Sequence, residues 1–271
     1  MLRAADVTFG YGDTPVLHGV SLDIPAGSIV GLIGPNGSGK TTMLRLLAGT
    51  RQPSSGQVLL GGAPMPSLSR NAIARRMAVV PQESQLAFDY SVLEVALMGR
   101  YPHLGAFAVE GPRDVAVARA ALAATGAGDL ESRLFSTLSG GEKQRVVIAA
   151  ALTQISSAGQ AAQEEAVLLL DEPTAALDLK YQLAVAALLE SLHASRNLTI
   201  VVSTHDLSFA AHVCDTLVML KKGRVLTSGS TEDVLTSAWV RELYDVDVEV
   251  VRHGERLMVV PLATAGPGSR T

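Results

Sequence analysis

The stretch Gly34-Pro35-Asn36-Gly37-Ser38-Gly39-Lys40-Thr41 satisfies every fixed position of the pattern G-x-x-x-x-G-K-[ST]. An apolar run, Ser28 to Ile33, precedes it, and an amphipathic run, Thr42 to Ala48, follows it. The segment therefore reads as strand, glycine loop and helix. Glycines let successive backbone N–H groups turn inward around phosphate oxygens, and the helix N-terminus adds its positive dipole. In such a loop Lys40 reaches the β- and γ-phosphates, and the Thr41 hydroxyl ligates Mg2+. A nucleotide is the expected ligand.

The 271 residues are 48% hydrophobic and 18% charged, enough for a sizeable core. A net charge of −4 argues against nucleic-acid binding through a dominant basic field. The single cysteine, Cys214, excludes an intrachain disulfide. With no secretory leader apparent, the chain reads as a protein of a reducing, cytoplasmic compartment. The apolar runs Ala166–Leu170 and Thr216–Leu220 have strand length, and none approaches the ~18 residues of a membrane span. Any membrane role is expected to come through a partner.

Apolar runs alternate with helical patterns, which predicts a parallel α/β sheet. Its strands are expected at Ser28–Ile33, Met77–Val80, Ala166–Leu170, Leu198–Ser203 and Asp215–Leu220. The N-terminal part differs. Leu2–Phe9, Val16–Ile24 and Gln57–Leu60 read as antiparallel strands, with a turn at Gly10–Asp13. Helix patterns around Ser91–Met98 and Arg113–Thr125 predict a helical subdomain over about 83–142. Ser156–Glu165 is polar and alanine-rich and reads as a surface insertion. Ser230-Thr231-Glu232-Asp233 reads as a capping box opening a helix towards Tyr244. Val246–Val251 and Arg256–Val260 suggest a terminal hairpin, and 263–271 a disordered tail. One folded domain, 1–262, is expected, with no internal repeat.

Three further motifs carry chemistry. Leu138-Ser139-Gly140-Gly141-Glu142 precedes a helical run, Lys143–Leu152, so the Ser139 hydroxyl and the Gly140 and Gly141 amides sit at a helix N-terminus suited to an anion. Val167–Leu170 is a buried strand ending in Asp171 and Glu172. There Asp171 can hold Mg2+, usually through water, while Glu172 polarises an attacking water. His205 follows the strand Leu198–Ser203, where it can contact a γ-phosphate.

Together these residues resemble the ATP-binding cassette (ABC) ATPases over essentially the whole chain. The implied fold is an α/β P-loop NTPase core with an N-terminal antiparallel β subdomain and an inserted helical subdomain. The resemblance implies that Tyr11 stacks on adenine and that Gly34, Pro35, Asn36, Gly37, Ser38, Gly39, Lys40, Thr41 and Thr42 bind the phosphates. It implies that Gln82 is the Q-loop glutamine, sensing Mg2+ and the transporter interface. Ser139, Gly140 and Gly141 match the family signature, Asp171 and Glu172 Walker B, Asp178 the D-loop, and His205 the switch histidine. The catalytic set is then Glu172, His205, Lys40 and Gln82, with ATP and Mg2+ as cofactors and Thr41, Gln82 and Asp171 at the metal. The family further implies a head-to-tail dimer of two copies sandwiching two ATP molecules, bound to an integral-membrane permease dimer. Two positions depart from the pattern. Ala175 stands where Ser is common, and Ala150 where many members carry Arg.

Met98-Gly99-Arg100-Tyr101-Pro102-His103, then Leu104-Gly105 and Phe107, resembles the ATPases of bacterial importers for iron chelates, heme and cobalamin. In that group the segment lies near the groove that receives the permease's coupling helix. Hemin-import subunits are similar in carrying extra residues at 156–165, so hemin is favoured over ferric siderophore and cobalamin. The implied place is the cytoplasmic face of the bacterial inner membrane, with a periplasmic heme-binding protein acting only through the permease. No direct heme contact is expected, from His103 and His253 included. The absence of coiled-coil insertions and of a second cassette argues against repair and translation ATPases. The signature argues against P-loop kinases and GTPases, and Glu172 with His205 against a noncatalytic cassette.

Overall fold

The computed structural model describes every residue except 1, 83–86, 106, 157–165, 176, 197, 255 and 265–271. The chain runs β1 (Leu2–Tyr11), β2 (Thr14–Ile24), β3 (Ile29–Ile33), α1 (Lys40–Leu47), β4 (Ser55–Leu60), β5 (Ala63–Pro64), α2 (Arg70–Arg76), β6 (Met77–Val80), α3 (Val92–Met98), α4 (Pro112–Ala124) and α5 (Gly140–Ile155). It continues with β7 (Val167–Asp171), α6 (Leu179–Arg196), β8 (Thr199–Thr204), α7 (Leu207–Val213), β9 (Thr216–Lys221), β10 (Arg224–Ser230), α8 (Thr231–Val234), α9 (Ser237–Tyr244), β11 (Val246–His253) and β12 (Arg256–Thr264). Two compact units divide it: Met1–Gly62 with Val201–Thr271, and Ala63–Ile200.

In the first unit, strands β2, β1 and β4 lie side by side and antiparallel, with Leu2 opposite both Ile24 and Leu60. Leu2, Ala4, Val7, Leu17, Val20, Leu22 and Ile24 are buried while their neighbours face solvent, the alternation of a half-buried sheet. Register shifts interrupt β1, and Asp6 there takes a left-handed φ of 50°. A second sheet has the order β10-β9-β3, with β8 next. β3 and β9 are parallel, in register from Val30 opposite Thr216 to Ile33 opposite Met219. Every residue of β3 and of β8 is buried, as expected of parallel strands covered on both faces.

In the second unit, β6 and β7 are parallel, from Met77 opposite Val167 to Val80 opposite Leu170. Helices α3 and α4 pack on α5. Val92, Val95 and Ala96 of α3, Ala118, Ala121 and Leu122 of α4, and Val146, Ile148, Ala149 and Leu152 of α5 are buried. Ser91 opens α3 with a reciprocal cap: Glu94 N donates to its hydroxyl (3.3 Å), and Ser91 N donates to the Glu94 carboxylate (2.7 Å). This unit takes in the stretch 83–142 together with α2, α6 and both strands.

Two expectations are corrected. The helix expected from Ser230 towards Tyr244 is two helices. Ser230 caps α8 as expected, but Leu235 leaves the helical region (φ −82°, ψ 75°), and Thr236 begins α9 by accepting from Trp239 N at 3.3 Å. Ala263 and Thr264, expected to belong to a disordered tail, pair instead in β12, opposite Asp247 and Val246. Residues 265–271 lie outside the described residues, as do all of the expected insertion after Ser156 and its last residues up to Glu165.

Cys214 is buried beside Gly31 of β3, where an added side chain would meet its Sγ at 2.9 Å. Burial, with the Asp215 charge beside it, pushes the thiol up to about 12. At pH 8 the thiolate is therefore scarce and inaccessible. We expect a disulfide reagent to leave the native protein unmodified at pH 8 and to react fully in denaturant. Rapid stoichiometric labelling of the native chain would contradict this packing.

Candidate nucleotide-binding site

The phosphate loop belongs to the first unit. It leaves the end of β3 and turns into α1, whose N-cap Gly39 takes φ 106°. A side chain strains that conformation, and here it would also meet Leu17 Cδ2 at 2.6 Å. The loop is braced from behind. Gly223, in the turn between β9 and β10, donates its N–H to Ser38 O (3.1 Å), while Gly223 O accepts from His18 N (2.9 Å).

Lys40 is 5% exposed. Its ammonium donates to the carbonyls of Gly34 (2.8 Å) and Pro35 (3.3 Å), so the charge is held inside the curl of the loop. Ser38 Oγ is buried there without a hydrogen-bond partner among the described residues. A buried cation beside an orphaned hydroxyl fits an anionic polyphosphate, whose oxygens would satisfy both. Thr41 lies half-buried in the first turn of α1, and Thr42 is buried.

Tyr11, 41% exposed, ends β1 with its ring edge-on to Phe9, 5.0 Å between centroids. Its hydroxyl shares a hydrogen bond with the Thr42 side chain and accepts one from Arg45 Nη1 at 3.1 Å. The Thr42 bond foremost, with Arg45 aiding, holds the phenol below its ordinary value. An exposed aromatic face is thereby tied to the helix that opens the phosphate loop. Sequence reasoning missed Arg45. Its one signal was a basic residue on the exposed side of an otherwise buried helix. His205, also in this unit, follows β8 with its side chain exposed. Its backbone is fixed by Tyr244 Oη, which donates to His205 O at 3.4 Å, and by Asp206, which caps α7.

The remaining expected site residues lie in the second unit. Ser139 is the N-cap of α5 in a reciprocal capping box. Its hydroxyl donates to Glu142 Oε2 (2.8 Å) and accepts from Glu142 N (3.4 Å). The Ser139 backbone N–H first, then its hydroxyl and the Arg133 charge, hold the Glu142 carboxyl below its usual value. Gly140 is exposed and Gly141 buried. A side chain at Gly141 would collide with the Tyr181 ring of α6, so α6 packs directly on the start of α5. Nothing in the sequence signalled that contact, since the two residues lie far apart in the chain.

Asp171 closes β7 and is 9% exposed. Glu172 follows with φ 47°, a left-handed conformation that costs a non-glycine residue about 1–3 kcal/mol and marks functional sites. Its carbonyl accepts from Ala175 N (3.0 Å), and Thr174 O accepts from Leu177 N (3.2 Å). Asp178 then caps α6, accepting from Tyr181 N at 3.1 Å. Gln82 is exposed just beyond β6. Among the described residues no group of three or more His, Cys, Asp or Glu gathers as a metal cage. Mg2+ bound with a nucleotide needs none, because phosphate and water supply most of its ligands.

A buried strand, a glycine loop closing on a lysine, and a helix that opens at the loop define a P-loop nucleotide-binding ATPase. A family model described as ABC transporter matches residues 17–175, and the chain belongs to that family. It is the ATP-binding, ATP-hydrolysing subunit type. The chain is 41% identical to the hemin import ATP-binding protein HmuV of Gloeobacter violaceus, over 98% of this chain and 95% of that one. It is 40% identical to the cobalamin import ATP-binding protein BtuD of Halobacterium salinarum, over 88% of this chain and 57% of that one. Among solved structures, an ABC transporter described as of metal-chelate type, in an inward-facing conformation, superposes with TM-score 0.82 at 31% identity, covering 96% of each chain. The dimeric cassette MJ0796 gives TM-score 0.71 at 28% identity, over 85% of this chain and 99% of that one.

Charge-assisted phosphate contacts contribute roughly 1.5–3 kcal/mol each. Lys40→Ala is therefore expected to weaken ATP binding about 10- to 150-fold by calorimetry. Unchanged affinity would remove Lys40 from the phosphates.

Proposed function

We propose that this chain drives hemin import across the bacterial inner membrane. It would act as a head-to-tail pair of identical copies on the cytoplasmic face, bound to a permease dimer that receives hemin from a periplasmic binding protein. The observation that carries this reading is likeness along nearly the whole chain to hemin import subunits, 41% over 98% of it. Cobalamin import is the second reading, favoured by the BtuD relative. A ferric-siderophore importer is a third, in keeping with the metal-chelate type structure. In any of them the described residues carry the membrane role through partners, since no helix is long and apolar enough to cross a membrane.

The residues act as follows. Tyr11 offers its exposed ring to adenine, and the Gly34–Gly39 amides with Lys40 and Ser38 hold the phosphates. Thr41, and Asp171 through water, would hold Mg2+, with Gln82 beside it. When bound, that ion neutralises phosphate charge and aligns the leaving group. Glu172 accepts hydrogen bonding from the attacking water and orients it. Its left-handed backbone breaks the extended run of β7 at that point. His205 contacts the γ-phosphate edge. Ser139, Gly140 and Gly141 complete the partner copy's ATP site, once the Ser139 hydroxyl exchanges Glu142 for a phosphate oxygen. Asp178 fixes the start of α6 beside that signature. Ala175 lacks a hydroxyl for the dimer interface, which tunes the rate without touching the catalytic set.

Glu172→Gln should lower turnover about 10²- to 10⁴-fold while leaving ATP affinity within a small factor. Wild-type turnover in that variant would take the water-orienting role away from Glu172. Cargo is tested with the permease complex in liposomes, supplied with binding protein carrying hemin, a ferric siderophore or cobalamin. Stimulated ATP hydrolysis and uptake with hemin alone is the expected result. The same response to another cargo would replace hemin while keeping the ATPase.

A further inference from the structure

Arg100 is 3% exposed, an unusual place for a guanidinium. Its Nε pairs with Asp114 Oδ1 at 2.9 Å. Its Nη1 donates to Thr153 O (3.1 Å) and Ser156 O (2.7 Å). His103, three residues on, approaches Gln154 O with Nε2 at 2.7 Å. Burial first, with the Arg100 and Arg75 charges after it, holds this imidazole below its usual value, so a neutral ring donates Nε2–H to that carbonyl. Thr153, Gln154 and Ser156 are the end of α5. A helix leaves its last carbonyls without intrahelical partners, and their negative end of the dipole attracts cations. Here that end has no glycine cap. Arg100 and His103 receive the carbonyls instead.

Close approach makes the reach possible. A side chain at Gly99 would run into Ala150 O and meet Gln154 N at 2.9 Å, so the backbone before Arg100 lies directly on α5. The other side of the turn is pinned as well. Arg75 Nε donates to Pro102 O (2.8 Å), and Gln154 Nε2 donates to Ala74 O and Met77 O (2.9 Å each). Between these bonds Tyr101 stands 60% exposed.

We infer that Arg100 and His103 are positioning residues that clamp the Tyr101–Pro102 turn to the C-terminal end of α5, so that the turn and the Ser139–Gly141 end move as one body. Helix α5, 16 residues long, spans about 24 Å between the two. A partner pressing on Tyr101 thus acts on the phosphate-facing signature through a single rod. This step rests on the permease-bound reading above, whereas the clamp itself does not.

Two measurements test it. Spin labels at Tyr101→Cys and Lys143→Cys report the distance from turn to helix, with buried Cys214 unlabelled. We expect one narrow distance distribution, unchanged by Mg-ATP, that broadens in Arg100→Gln and, to a lesser degree, in His103→Ala. In the reconstituted transporter, the ratio of permease-stimulated to basal ATP hydrolysis should fall at least about threefold in both variants. Basal turnover and ATP affinity of the free subunit should hold. His103 is only partly buried, so His103→Ala tests the clamp even if Arg100→Gln does not fold. A narrow, unshifted distribution in the variants overturns the clamp. A stimulated-to-basal ratio that stays constant overturns its role in coupling. Failure of hemin uptake by the wild type would strike the cargo reading alone, since the spin-label arm uses neither cargo nor permease.

Discussion

The amino group of Lys40 sits in a place almost closed to water. An isolated buried cation is too costly to keep, so its surroundings are built to satisfy it. The carbonyls of Gly34 and Pro35 do so. That needs a loop curled tightly enough to turn its oxygens onto its own lysine, with Gly39 in a region closed to other residues. A loop so curled has to be held, and the neighbouring elements hold it. β3 emerges from a fully buried position beside β9, the β9–β10 turn binds Ser38 O, and Leu17 of β2 packs where a side chain on Gly39 would stand. Polyphosphate oxygens are a better counter-charge than carbonyls. The loop thus has the form that the proposed ATP ligand would complete.

The sequence made this part legible because its determinants are local. A glycine loop between an apolar run and an amphipathic run is a short-range pattern, and the parallel strands announce themselves as unbroken apolar stretches. The helix starts at Ser139 and Ser230 were readable for the same reason, since each serine caps a backbone N–H three residues on. Boundaries were harder. The break between α8 and α9 depends on Thr236 preferring to cap Trp239 over continuing a helix, a choice with little energy on either side. Helix α6 carries Ala and Leu around much of its circumference and shows no sharp amphipathic stripe, so its length was not foreseen.

What stayed hidden is long-range. Tyr181 under Gly141 joins parts of the chain that no sequence window holds together. It also gives Gly141 a packing reason to be glycine, beside any need to bring a backbone amide to a phosphate. The left-handed Glu172 was equally invisible, since a glutamate before a proline carries no preference for that conformation. Strain of this kind persists where the surroundings over-determine it. Here Asp171 is buried ahead of it, and the turn bond from Ala175 N closes behind it.

Arg100 inverts the usual reading of a basic residue. In the sequence it stands in a short motif between Gly99 and Tyr101, where a charge is normally solvated. In the fold it is the aromatic that is exposed and the charge that is buried. The glycine explains the inversion. Contact of backbone 99 with Ala150 and Gln154 brings Arg100 and His103 within reach of the carbonyls at the end of α5, which need donors. A lysine has three donors on one nitrogen but not the planar fork that serves Asp114 on one edge and two carbonyls on another. Ala150 belongs to the same argument through its backbone, because its carbonyl is what a side chain at position 99 would strike.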